Sequence, residues 1–385
     1  MSRTINGSIT GPVVLGAADN PLTITSAGTV TSSGSSDGVD GGSNGATWTI
    51  GNAGQISASG GAGISLATSG IVSNTGSISG IDALVLRGGG SVTNNAGTIS
   101  SLGTLGGGLG SGAGVYITGA TGTVTNNAVI TGIAYGVGLG KGGLVTNTSS
   151  IQGGEDGVII QGAIGTISNS STISATVDDG VALFVGGSIS NASGATISSV
   201  GSVGAGVFVT GAAGTITNAG SISSVFHGVL VAAGGSLSNA QSGSITGQDA
   251  GVLFQNQAGT VSNAGQITGT GSQGTGVYLE ANGNITNTST GTIAGQKFGA
   301  FIEGGFGTLA NYGSISGASY DGVVLGLGGV VTNATGASVS GLGTGVYVKY
   351  RAAGTVTNSG NINATGTSGA GVDLAGGGNL TNASA

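Results

Sequence analysis

Cysteine is absent from the 385 residues, histidine and tryptophan occur once each, and proline occurs twice. Without thiols there is no disulfide framework and no thiolate metal centre, and a zinc site would have to be built almost wholly from carboxylates. A structural zinc is thereby excluded. Charge is scarce too: six Lys and Arg, scattered from Arg3 to Arg351, stand against thirteen Asp and Glu for a formal net charge of -7. So few dispersed cations cannot track a phosphate backbone, which excludes nucleic acid as a partner. No apolar run reaches the length of about 18 residues that suggests a transmembrane helix. The opening Met1-Ser2-Arg3-Thr4-Ile5-Asn6-Gly7 lacks the apolar stretch of a secretory signal.

What is abundant is glycine, 88 residues. Together with proline it stays just below the share of about 25–30% at which low-complexity disorder becomes the default. Only 5% of residues are charged while 38% are hydrophobic. Such a chain has too little self-repulsion to stay expanded and enough Val, Ile and Leu to bury.

The glycines punctuate a repeat. An apolar residue, then usually Ser or Thr, then Asn recurs at Asn52, Asn74, Asn94, Asn126, Asn147, Asn169, Asn191, Asn218, Asn239, Asn263, Asn287, Asn311, Asn333, Asn358 and Asn382, mostly 21 to 25 residues apart. Four or six residues after most of them comes Ile or Val, as at Ile78, Ile222, Ile245 and Val339. The difference is even, so a strand of period two keeps its face. A third signal closes each unit: Gly114-Val-Tyr-Ile117, Gly206-Val-Phe-Val209, Gly276-Val-Tyr-Leu279 and Gly345-Val-Tyr-Val348.

Strands this short cannot bury a face alone, and glycine-rich turns between them favour stacked coils. The expected fold is all-β: a right-handed parallel β-helix with three short strands per coil of about 21–25 residues. The coils are too long for hexapeptide left-handed helices, and the calcium-binding Gly-Gly-x-Gly-x-Asp nonapeptide is absent. At ~4.8 Å per coil the array would make a rod roughly 70 Å long. Alternation puts the asparagines inside or at a corner. A lone buried amide is costly, but amides stacked coil on coil can each donate to the next and accept from the one before. Asn147, Asn169, Asn191 and Asn333 also fit Asn-x-Ser/Thr, yet a ladder position would hide them from glycosylation.

Residues 1–45, with Pro12 and Pro21 and a polar run from Ser32 to Ser36, read as irregular first coils or an N-terminal cap. Residues 46–385 read as one continuous array, with a loop excursion near 101–112 where the ladder spacing stretches to 32. The sequence stops at Asn382-Ala-Ser-Ala385, inside a repeat, as expected of a segment cut from a longer precursor.

The Asn-x-Gly-x-Ile and Gly-Val-x-Leu repeats resemble those of bacterial autotransporter passengers and the related filamentous-haemagglutinin-like secreted adhesins, over nearly the whole chain from Asn52 onward. The resemblance implies a right-handed β-helix displayed outside Gram-negative cells and engaged in adhesion, aggregation or biofilm formation. The chain departs from that family in carrying neither a signal sequence nor a C-terminal membrane barrel.

Chemistry has few candidates. Glu155-Asp156-Gly157-Val158 and Asp178-Asp179-Gly180-Val181 occupy equivalent sites one coil apart, and His227-Gly228-Val229 occupies the same site further on. Paired carboxylates on neighbouring coils could form an acid-base pair. The placement loosely resembles polygalacturonase-like glycosidases, but their Asn-Thr-Asp, Gly-Gly-His-Gly and Arg-Ile-Lys signatures are absent. Asp37 and Asp321 also precede a glycine, and Asp82 stands at the equivalent position before Ala83, so a turn of the Asp-Gly kind explains them all. Glu155, Asp156, Asp178 and Asp179 are also the calcium candidates, because a hard cation would relieve their repulsion. No residue pattern calls for a cofactor.

The sharpest pattern lies at the variable position of Gly-Val-x-Leu, expected to point outward: Ile159, Ala182, Phe208, Leu230, Leu253, Tyr278, Phe301, Val324 and Tyr347, with no polar residue among them. At one coil of ~4.8 Å each they would form an apolar stripe. Tyr278, Phe301 and Tyr347 are its expected anchors for self-association, for a host or cell surface, or for a polysaccharide. The functional expectation is an extracellular structural or adhesive element. The alternatives are a polysaccharide-processing enzyme and a passive spacer.

Overall fold

The computed structural model describes residues 2–43, 45–104, 111–349 and 352–383. It is an all-β parallel solenoid with three strands per coil, in two compact units, 1–185 and 186–385. In the first unit a representative coil runs Gly122–Asn126 in sheet A, Val129–Thr131 in sheet B and Tyr135–Leu139 in sheet C. Each strand pairs in parallel with its counterpart one coil on, Asn126 opposite Asn147, Ile130 opposite Ile151 and Leu139 opposite Ile160. In the second unit the equivalent coil is Gly214–Asn218, Ser221–Ser224 and His227–Val231. Among the described residues the only helical turn is the 3-10 segment Ala17–Asp19, and no helix is long and apolar enough to cross a membrane.

The core follows from alternation. In the second unit's coil Ile216, Asn218, Ile222, Val229 and Val231 are buried, while Thr215 and Thr217 between them are exposed. Glycine is required where coils touch. Gly235 has φ +132°, and a Cβ there would lie 2.0 Å from the carbonyl oxygen of Gly214. A Cβ on Gly228 would lie 2.5 Å from the carbonyl of Gly251 and 2.8 Å from Ile245 Cγ2. That second clash explains why glycine precedes the inward valine in coil after coil.

Within each unit the asparagines form a ladder. In the first unit Asn52, Asn74, Asn94, Asn126 and Asn147 each donate Nδ2–H to Oδ1 of the next, as far as Asn169, at 2.8–3.0 Å. In the second the chain of donors runs from Asn191 through Asn218, Asn239, Asn263, Asn287, Asn311, Asn333 and Asn358 to Asn382 at 2.7–2.9 Å. Most of the amides also close their own A–B corner: Asn126 Nδ2 reaches the Ala128 carbonyl at 2.7 Å and Asn218 Nδ2 the Gly220 carbonyl at 3.1 Å. One side chain thus ties its turn and joins adjacent coils, which offsets the desolvation of a buried amide.

Residues 1–45 are more regular than their sequence suggests. Arg3–Ile5, Ser8–Thr10 and Val13–Leu15 make one coil, and Leu22–Ile24, Thr29–Ser32 and Val39–Gly41 a second, in register with the strands that follow. They escape the motif because Ile5 and Ile24 fill the place that Asn52 holds in the next coil. The prolines sit immediately before the strands that begin at Val13 and Leu22. Of the expected excursion at 101–112, residues 105–110 lie outside the described residues.

Candidate interaction face

The outward sides of sheets A and B are hydroxyl-rich and uncharged apart from Arg3. Among the described residues every other Asp, Glu, Lys and Arg, together with His227, lies in sheet C or in the B–C and C–A corners that flank it. The rings follow the same rule, with Trp48 in sheet A and Tyr312 in an A–B corner as the exceptions among the described aromatics. Chemical variety is therefore confined to one side of each unit.

Corner length varies most on that side. In the second unit the B–C corners Val225–Phe226 and Gln248–Asp249 are short, whereas 200–204 and 270–274 are long. The long corners overhang the short ones and leave a groove of about 310 Å³ lined by Phe226, Gln248, Asp249 and Ser272. In the first unit the short corners Gly132–Ala134 and Gly154–Glu155 floor a groove of about 370 Å³ bounded by Ser101 and Thr176. In repeat proteins such insertions cluster on one face, often the binding face.

The acids sit at the start of sheet C strands. Asp156 is buried, and its Oδ1 accepts the backbone N–H of Asp179 at 3.0 Å. Asp37 does the same for Ala62 at 2.7 Å and Asp82 for Ala113 at 2.8 Å. The aspartate at this position, before Gly38, Ala83 or Gly157, is thus a strut to the next coil. Burial, opposed by that hydrogen bond and aided by Asp178 and Glu155, pushes the Asp156 carboxyl up to about 7. Burial and the Glu155 charge also raise Asp178. Carboxylate oxygens of Asp156, Asp178 and Asp179 lie within 4.8 Å of one another, a spacing that a divalent cation could bridge. The Glu155 carboxylate bonds instead to the Tyr135 hydroxyl.

His227 is in the second unit, buried, with Nδ1 3.7 Å from Asp249 Oδ2 and without a hydrogen bond. Burial lowers its pKa against the pull of Asp249, which favours the neutral ring.

The apolar column points away from the core, but much of it is covered. In the first unit Ile159 and Ala182 are buried; in the second Leu253, Phe301 and Val324 are buried, and Phe208, Leu230, Tyr278 and Tyr347 are half-buried. The cause is stacking at one-coil spacing. Tyr278 and Phe301 lie face to face, 5.0 Å apart and 3° from parallel. Lys349 Nζ, reaching past the level of Val324, sits 4.4 Å from the Phe301 ring centre. With one face on Tyr278 and the other under an ammonium, Phe301 has no face left for a sugar ring. The Tyr278 hydroxyl donates to Glu303, which anchors the stack at its rim. Two of the three expected anchors, Tyr278 and Phe301, are therefore braced to one another.

Sequence reasoning passed over Tyr320, Phe298, Lys297 and Phe226. Phe298 packs at 5.4 Å on Phe301 and 6.0 Å on Tyr320, with Lys297 Nζ 5.3 Å from the first ring of that pair and 5.8 Å from the second. The available signal was the changing distance between the sheet B isoleucine and the Gly-Val pair. No protein-family model, curated protein or solved structure matches the chain.

Proposed function

We propose that the chain is the structural and adhesive part of a secreted bacterial surface protein of the autotransporter-passenger kind, meeting its partner through sheet C and the B–C corners. The segregation of charge and aromatic rings to that side, away from two hydroxyl-covered sheets, carries this reading. A passive spacer has no need to concentrate rings on one face, and rings are enriched where proteins bind. The acidic balance and the absence of cysteine suit a chain that crosses membranes unfolded and works outside the cell.

Beads coated with the whole chain should be retained on bacterial or host cell layers, or aggregate with one another, above the level of bare beads. Bare-bead behaviour in all three formats would leave a spacer. Turnover of an acidic polysaccharide, lost on Asp179→Asn, would overturn the proposal in favour of an enzyme.

A further inference from the structure

A second groove on the second unit's C side arises from a mismatch of corners. Gly317, Gly341 and Ala364 end successive sheet B strands in register, and Thr344 pairs with Ala370 at the start of sheet C. With Val323 opposite Val346, so that Asp321 is level with Thr344, the chain spends Ala318–Tyr320 in one coil, only Leu342–Gly343 in the next, and Thr365–Gly369 in the one after. The short corner is recessed between two taller ones. The resulting cleft has a volume of about 610 Å³, within the range of roughly 300–1,000 Å³ usual for small-ligand sites.

Its lining combines an apolar part with a hydroxyl part. Leu342, 45% exposed, forms the floor, and Tyr320, 51% exposed, forms one wall. The opposite wall carries the hydroxyls of Thr365, Thr367 and Ser368, and no charged side chain lines the cleft. Tyr320 is held from behind by Phe298, whose ring is tilted 56° to it, and by the Lys297 ammonium. Its orientation is therefore braced while half its surface stays open. Unlike the rings of the Tyr278–Phe301 stack, Tyr320 has no parallel ring laid on it among the described residues.

We infer that the Tyr320–Leu342 cleft binds a neutral oligosaccharide, its apolar ring face against Tyr320 and Leu342 and its hydroxyls toward Thr365, Thr367 and Ser368. A sugar ring needs both an apolar platform and hydroxyl partners, and an uncharged lining gives no reward to a uronate or a sulfate. The inference rests on the C side being the partner-facing side, but it names a ligand class that adhesion alone does not require.

The test is affinity electrophoresis of the whole chain through native gels containing a neutral polysaccharide (a β-glucan, a xylan or a galactomannan) or polygalacturonate. At least one neutral gel should retard the chain, and polygalacturonate should not. Tyr320→Ala should weaken that retardation by about tenfold or more in apparent Kd, with Leu342→Ser weakening it less and Thr217→Glu, on sheet A, leaving it unchanged. Tyr320 lies outside the core, and an unchanged circular dichroism spectrum and melting curve establish that its variant is folded. Retardation by polygalacturonate alone, or by no gel, overturns the inference, as does a folded Tyr320→Ala that migrates like the parent. Beads that adhere to cells while no gel retards the chain would remove the sugar cleft and leave the adhesive reading standing. Retardation without bead adhesion would do the reverse.

Discussion

The two units share an inner layer and differ outside it. Residues 1–185 hold eight of the thirteen acids and four of the fifteen aromatic residues; residues 186–385 hold five acids and eleven aromatics. The A–B corners differ as well. In the second unit they alternate between two residues, as from Asn218 to Ser221, and four, as from Asn239 to Ser244. In the first unit those after Asn126, Asn147 and Asn169 are all two residues long. The amide ladder tolerates both, because the asparagine Nδ2 caps the carbonyl two residues on in one case (Gly220) and four residues on in the other (Gly243). Inward Val and Ile, asparagine and glycine therefore maintain the fold in either unit, and the C side is left to diverge.

That division can be broken most forcefully at the ladder. Asn147→Ala in the first unit and Asn263→Ala in the second each remove the donor to the next amide and strand the groups on either side. Each should cost about 3–4 kcal/mol, read as a lowered thermal midpoint. If one unit tolerates the change and the other does not, the inner layers are not equivalent.

A pH dependence should separate the units next. The folded pKa of Asp156 is raised to about 7, above its ordinary value, so its contribution to stability is fully present below about pH 4. It is lost as pH rises toward 7 and does not change further above that. The loss should be on the order of 3 kcal/mol. Asp156→Asn keeps the acceptor for the Asp179 amide, so melting curves of that variant should lack the decline between about pH 4 and 7. An unchanged decline would assign it to another group.

Within the second unit, the braced ring and the open ring should behave differently. Phe301→Ala empties a nearly covered site between Tyr278 and Lys349 and should cost about 2 kcal/mol. Tyr320→Ala should stay within about 0.5 kcal/mol. Equal losses would mean that Tyr320 is structural.

Most of the fold was legible in the sequence, because period two, glycine punctuation and the recurring asparagine are local signals that all point to one coil. The coils within 1–45 were legible only as irregular first coils or a cap, since Ile5 and Ile24 replace the marker residue. The outward column could be read at the level of parity. Its ring stacking could not, because the faces of Phe301 are taken by Tyr278 one coil before and by Lys349 two coils after, contacts that no single repeat contains. The grooves were missed for a related reason. Anchoring the repeats on asparagine draws the eye to the A–B corner, whereas a cleft depends on the difference between neighbouring B–C corners such as Leu342–Gly343 and Thr365–Gly369.

The most direct test of a partner-facing C side is a comparison of single glutamates at exposed or part-exposed positions. Thr217→Glu marks sheet A, Ser223→Glu sheet B, and Ile133→Glu and Tyr320→Glu the B–C grooves of the first and second units. Retention of chain-coated beads on cells is measured for each folded variant. The account predicts that the sheet A and sheet B variants bind like the parent while at least one groove variant loses most of its retention. Loss of retention in the sheet A or sheet B variant, with both groove variants unaffected, would contradict it.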